Sequence, residues 1–177
     1  MLYLLLFLVF FLLWFDIFLI AYQFYAHFLH PGATYFPTTN LAVTRMLKLA
    51  QVSSWDTLVD LGSGDGRILL ATARLGATAI GYEINPLLVW LSRRRIRQAN
   101  LDKLATVRWQ SFWKADFRQA TVITVYLLPK LMDRLQRFLE NNVNHPIRLV
   151  TNNYPFRHLS PIKHSNHVYL YQFHYPK

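Results

Sequence analysis

Cysteine is absent from the 177 residues. That excludes a disulfide framework, a thiol nucleophile and any Cys-based metal site, and it fits a reducing compartment. Acids are scarce: nine Asp and Glu stand against nineteen Lys and Arg, a formal charge of +10. A surface that basic suits an acidic partner, whether anionic lipid, nucleic acid or an acidic protein. The seven histidines show no metal-ligand spacing. His164 and His167 sit three apart in an expected loop without supporting acids, so no metal site is expected. Neither an internal repeat nor a low-complexity segment is visible. The length suits one domain of ordinary size.

No Lys or Arg precedes Arg45, and the opening "MLYLLLFLVFFLLWFDIFLIAYQFYAHFLH" carries one acid, Asp16. Leu2 to Tyr22 is long enough to cross a hydrocarbon core of ~30 Å. Trp14, Tyr22 and Tyr25 suit the headgroup level. Asp16 costs ~2.5–3.5 kcal/mol at mid-membrane, which the surrounding Leu, Phe and Ile outweigh at ~0.3–0.6 kcal/mol each. Asp16 either pairs with a basic group in a membrane partner or is a tolerated, interface-facing acid. A cleaved signal peptide would show a basic start, a shorter apolar run and a small-x-small site. The segment therefore reads as a retained single-pass anchor. With every basic residue after it, the remainder is expected on the cytoplasmic side, or the matrix side in a mitochondrion.

"HPGATYFPTTN", His30 to Asn40, is rich in turn formers and ends in candidate helix N-caps, Thr38, Thr39 and Asn40. A helix follows in "LAVTRMLKLA". The chain then alternates. Strands are expected at Thr57–Leu61, Thr78–Glu83, Ala105–Gln110, Thr121–Leu127 and Ile147–Thr151. Helices are expected at Arg67–Arg74, Pro86–Gln98 and Pro129–Glu140. "HVYLYQFH", His167–His174, alternates and predicts a closing antiparallel strand. The pattern implies an α/β fold, a mostly parallel Rossmann-like sheet with helices on both faces.

"VDLGSGDGRILL" places Gly62, Gly64 and Gly66 where the first strand meets its helix. Such a turn lets a ligand approach backbone, and the helix N-terminal amides face it. The G-x-G-x-G spacing is not that of dinucleotide enzymes, and no G-K-[ST] ending marks a P-loop. Asp60 and Asp65 would repel a pyrophosphate and attract a ligand bearing an ammonium and a sulfonium. S-adenosylmethionine (SAM) is such a ligand. Glu83, ending the second strand in "IGYEINP", is placed to accept from ribose hydroxyls.

The run "VDLGSGDGRILLATARLGATAIGYEINPLLVWLSRRR" closely resembles class I SAM-dependent methyltransferases. Within them the chain is most similar to small membrane-anchored protein-lysine methyltransferases, which include mitochondrial enzymes acting on a component of ATP synthase and on the adenine nucleotide translocase. "YFPTT", "SFWKADF", "VYLLPKLMDRLQRFLE" and "TNNYPF" extend the likeness over about Tyr35 to Phe156. The resemblance implies an anchor at 1–28, a linker at 29–40 and a methyltransferase domain at 41–177. It implies that Asp60, Gly62, Ser63, Gly64, Asp65 and Gly66 cradle the methionine end of SAM. Glu83, with Ile84 and Asn85 beside it, would hold the ribose. Ser111 and Phe112 would border the adenine, and Tyr35 to Thr38 would fold over the cofactor. Relatives commonly have Asp where this chain has Ser111, a neutral acceptor. They often read "RFPF" where it reads "NNYPF".

A lysine acceptor, implied by the resemblance, must shed a proton, its free pKa being about 10.4. An apolar channel lined with carbonyl and hydroxyl acceptors would favour the neutral amine and align it. Tyr126, Pro129, Asn153, Tyr154 and Phe156 are the candidates at the strand ends, and each also fits packing or turning a loop. No general base stands out. Other acceptors stay open: a lipid headgroup, a quinone precursor or RNA, the anchor arguing against nucleic acid. So does a non-catalytic SAM-binding membrane protein. Arg93, Arg94, Arg95 and Arg97 on one helix are either a solvated face or a contact to anionic lipid, at ~1 kcal/mol per charge.

Overall fold

The computed structural model describes residues 2–28 and 37–173, with side chains over 3–23 and 37–173. Tyr35, most of the expected linker, the Tyr25 ring and His174 at the end of the expected last strand lie outside these. Contacts divide the chain into two units, Met1–Thr34 and Tyr35–Lys177.

The first unit is the helix α1 (Leu2–Phe28). Its Tyr3–Gln23 portion, 21 residues, is long and apolar enough to cross a membrane. Phe7, Phe11, Trp14 and Phe18 are all exposed, whereas a helix of a soluble domain buries one apolar stripe.

The second unit begins with α2 (Asn40–Leu49), capped by the Thr39 hydroxyl, which accepts from the Ala42 amide. Then come β1 (Thr57–Leu61), α3 (Arg67–Arg74), β2 (Thr78–Glu83), α4 (Pro86–Gln98) and β3 (Ala105–Trp109). After a 3-10 turn at Phe112–Lys114 follow β4 (Val122–Val125), α5 (Pro129–Asn142), β5 (Ile147–Asn152), β6 (Lys163–Ser165) and β7 (Val168–Phe173). The seven strands form one sheet in the order β3-β2-β1-β4-β5-β7-β6. β1 to β5 are parallel, and β7 and β6 join antiparallel.

Pro86 and the Asn85 side chain start α4, as a fixed φ and an Asx cap should. β4 is shorter than its apolar run, because pairing with β1 and β5 ends at Val125 while Tyr126 and Leu127 run on beyond the ladder. β6 breaks the expectation of a loop at His164. It is an exposed polar edge held by β7.

Helical crossovers lead outward from β1 through β2 to β3 on one side of β1 and from β4 to β5 on the other, the type of connection that is right-handed as a rule. α2 and α3 pack together over a core of Met46, Leu58, Ile68, Val122 and Val150. α4 completes that layer over Leu69, Ala79 and Val107. Each fully buried side chain of this kind contributes ~1.5–3 kcal/mol. At the amino ends of the strands, Arg148 of β5 reaches the buried Asp56 carboxylate and donates to the Ala50 carbonyl at 2.6 Å. Asp56 also accepts from the Ser53 amide at 2.8 Å and the Thr121 hydroxyl at 2.7 Å. One network thus ties α2, β1 and β5.

Candidate functional site

The chain leaves β1 towards β2 on one side and β4 on the other. In open α/β sheets the crevice at such a switch point, beyond the carboxyl ends of the strands, is where ligands bind. The glycine turn lies there. Gly62 and Ser63 both donate to the Tyr82 carbonyl at 3.0 Å, pinning the turn to β2. Gly62 has φ +88°, and a Cβ there would have no neighbour within 4 Å, so the turn faces open space. Gly66, at φ +79°, opens α3 where a Cβ would sit 2.1 Å from Ser92 Oγ. That glycine serves close packing of α3 on α4.

Asp60, 3% exposed, lies in register with Thr124 of β4, and the Thr124 hydroxyl donates to its Oδ1 at 2.8 Å. Burial, aided by the Glu83 and Asp65 carboxylates and opposed by Thr124, pushes its pKa up to about 7. No cation among the described residues pairs with it. Asp65 behaves differently from the expected lure for a cationic ligand. Its carboxylate is taken by Arg67 and Arg95, which, against the desolvation that raises it, hold its pKa down to about 2. Two guanidinium groups cancel its charge, so the attraction expected of a pair of acids falls to Asp60. Arg67 also donates to the Thr38 carbonyl at 2.6 Å, fastening the segment before α2 to the turn.

Glu83 is bound into the scaffold. Oε2 accepts from the Gly64 amide at 2.9 Å, and Oε1 from Ile84 and Asn85 at 2.9 and 2.8 Å. Of about four lone-pair positions on a carboxylate, three are in use. The Asn85 side chain caps α4. The Gln110 amide donates to the Glu83 carbonyl at 3.0 Å, which brings Ser111 beside the end of β2. The Ser111 hydroxyl caps nothing, and Phe112 is buried against Trp113.

The acceptor-side candidates divide. Tyr126 and Tyr154 stack with centroids 6.3 Å apart, and the Asn153 amide donates to the Tyr126 hydroxyl at 3.3 Å. Asn153 holds φ +71°, which brings these three together at the carboxyl ends of β4 and β5. Phe156 turns into the core, its ring edge-on to Tyr171, and Pro129 starts α5. Both match their packing and loop-turning readings. Arg95 leaves the expected basic face for Asp65, and Arg93 donates to the Val107 carbonyl at 2.9 Å. Among the described residues no three His, Asp or Glu side chains gather to hold a metal. Sequence reasoning missed Thr124 and the two arginines on Asp65, all of which depend on strand register or helix packing.

Sheet order, switch-point glycine turn and the acid ending β2 together define a class I SAM-dependent methyltransferase architecture. The model for the ANTKMT methyltransferase domain matches residues 60–163. The chain belongs to that family. Among curated proteins it is similar to the Homo sapiens ATP synthase C-subunit lysine N-methyltransferase, 35% identical over 125 residues, covering 71% of this chain and 53% of that one. It is also similar to a protein-lysine N-methyltransferase of Saccharolobus islandicus, 34% identical, covering 80% of this chain and 94% of that one. Among solved structures, an RNA methyltransferase of Salinibacter ruber in complex with S-adenosyl-L-homocysteine superposes with a TM-score of 0.77 at 34% identity, covering 80% and 96%. The chain spans about half the length of the human and rat relatives, 53% and 57%.

Proposed function

We propose that this chain is a SAM-dependent protein-lysine N-methyltransferase, held to a membrane by 1–28 through a linker at 29–40, with 41–177 as its catalytic domain acting on a membrane-associated protein. The observation that carries the cofactor is Asp60: a buried carboxyl with no cation partner among the described residues, at the switch point, beside a turn open to solvent. An ammonium is the group that such a carboxyl lacks. Gly62 to Gly66 fit the methionine end of SAM by backbone approach. Glu83 keeps one lone-pair position for a ribose hydroxyl, and Ser111 stands at the expected adenine edge.

SAM supplies an activated methyl on sulfonium. The chain orients an acceptor and keeps it dry. The Tyr126 hydroxyl and the Asn153 side chain can accept from a lysine amine, with Tyr154 walling its alkyl stem. The proton leaves to water before binding. The lysine acceptor follows from the two lysine methyltransferases above. The cytoplasmic side, or the matrix side in a mitochondrion, is the reading supported by the basic residues beginning only after α1, and the single span is supported by the one long apolar helix among the described residues.

The test is to incubate the full chain with methyl-labelled SAM and membranes of its host, then locate the label by mass spectrometry. Label on protein lysine, absent with Asp60→Asn, is expected. Label in lipid or RNA would overturn the lysine reading. Extraction of the chain by alkaline carbonate would overturn the anchor alone.

A further inference from the structure

The exposed face of α4 carries Leu87, Trp90, Arg94 and Arg97, at helical spacing. Leu87 and Trp90 are 61% and 56% exposed, and Trp109 at the end of β3 is 66% exposed. A groove of about 560 Å³ runs between α4 and β3 with Trp90, Arg93, Arg97 and Trp109 among its lining. Asp102 is the acid in it. Three large apolar side chains side by side on a free surface are unusual, since such residues are normally scattered singly. They stand at the amino end of α4 and the carboxyl end of β3, the end of the sheet that holds the glycine turn.

The geometry points to this face as the surface by which the catalytic domain lies on an anionic lipid bilayer. Indole rings and guanidinium groups are the side chains that settle at headgroup level, ring inward and charge on phosphate. Two other occupants fit less well. An extended peptide adding to the β3 edge would need the Val107 carbonyl, which Arg93 already occupies at 2.9 Å. That arginine protects the edge as charged side chains on edge strands do. Single-stranded nucleic acid would need open ring faces for stacking. Here the Arg94 guanidinium lies 5.5 Å from the Trp90 centroid, and the Trp109 indole donates to the Ile84 carbonyl at 3.0 Å. Against a bilayer, Arg94 keeps its place over Trp90 and still reaches a phosphate. The inference rests on the anchored reading, which keeps the domain near a lipid surface.

The lack of cysteine makes the test clean. A nitroxide on Leu87→Cys, and separately on Leu75→Cys as a control at the far end of α3, is placed in the full chain. The chain is reconstituted in nanodiscs of phosphatidylcholine with or without phosphatidylglycerol. The ratio of oxygen to nickel-complex collisions should rise several-fold at position 87 only when phosphatidylglycerol is present, and stay level at position 75. Arg94→Gln with Arg97→Gln should lower the docked-to-free ratio about thirtyfold, from ~1 kcal/mol per charge. Each variant is compared in thermal melting, which these exposed substitutions should leave unchanged. Co-elution with nanodiscs without a change at position 87 overturns the docking face and leaves the anchor standing. No co-elution in either lipid overturns the anchor and the docking face with it. Protection of position 87 by single-stranded RNA, and not by anionic lipid, reassigns the face to nucleic acid.

Discussion

Asp60 makes cofactor binding depend on pH in a way that can be worked out beforehand. With a pKa of about 7 in the free protein, the carboxyl is about one-eleventh ionised at pH 6 and about ten-elevenths at pH 8. A ligand ammonium binds the ionised form, so Asp60 alone would raise affinity about tenfold across that interval, ~1.36 kcal/mol. The ligand's own amino group, of ordinary pKa ~7.7–8.0, sheds its charge over the upper part of the same interval, so the net rise should be about five- to sixfold, to a maximum at about pH 7.4, after which the profile bends down. Near pH 7 binding should release about half a proton, read by titration calorimetry of S-adenosylhomocysteine in buffers of different ionisation enthalpy. Asp60→Asn should weaken binding at pH 8 and erase the rising limb. Thr124→Val removes the hydrogen bond that opposes the upward shift, so the limb should move to higher pH. The same carboxyl has a stability signature of opposite sign. Its folded pKa lies above the unfolded one, so its contribution is whole below about pH 4 and is lost as pH rises through 7. The interval from 3.8 to about 7 bounds that loss at about 4 kcal/mol. Asp60→Asn should therefore melt higher than the parent at pH 8 while binding worse. Affinity flat between pH 6 and 8, or an unchanged limb in Asp60→Asn, would refute the reasoning.

Asp65 should behave in the reverse sense. Its contribution is present above its unfolded pKa near 4 and fades as pH falls towards 2, which an acid melt of Arg95→Ala against the parent would display as a flatter curve. Arg148→Ala leaves the buried Asp56 carboxylate without its cation and should cost towards the lower end of ~3–5 kcal/mol in urea denaturation, since Arg148 is partly exposed. Gly66→Ala meets Ser92 Oγ at a positive φ. It should destabilise by more than the ~1–2 kcal/mol of backbone strain alone, with only the excess recovered by Ser92→Gly. Ser111→Asp restores a charge-assisted acceptor and should tighten S-adenosylhomocysteine binding several-fold by calorimetry. Equal affinity would remove Ser111 from the adenine edge.

Elements punctuated by special residues were legible to the residue. β1, α3, β2 and α4 are bounded by the glycine turn, Gly76 and Pro86, and they fall where local chemistry puts them. β4 was not, because Tyr126 and Leu127 continue the apolar run after ladder partners have ended. β6 was not, because "KHS" alternates nothing; it exists only because β7 offers a free edge. The location of the candidate site was readable from Asp60, Gly62 and Glu83, but its electrostatics were not. Asp65 and Asp60 look alike in one dimension. Arg95, thirty residues on and read as part of a basic face, joins Arg67 in neutralising the first; Thr124, set opposite by strand register, donates a hydrogen bond to the second.

Glu83 links the backbone amide of Gly64, nineteen residues before it, to those of Ile84 and Asn85 in the turn that follows it. A carboxylate so employed is a keystone before it is a ligand contact. In a mutational screen scored by protein abundance, position 83 should stand out as intolerant, while position 60 should pass or even improve. The same screen scored by methylation should reject both. Comparing the two scores would separate the residue that builds the pocket from the residue kept, at the fold's expense, for what enters it.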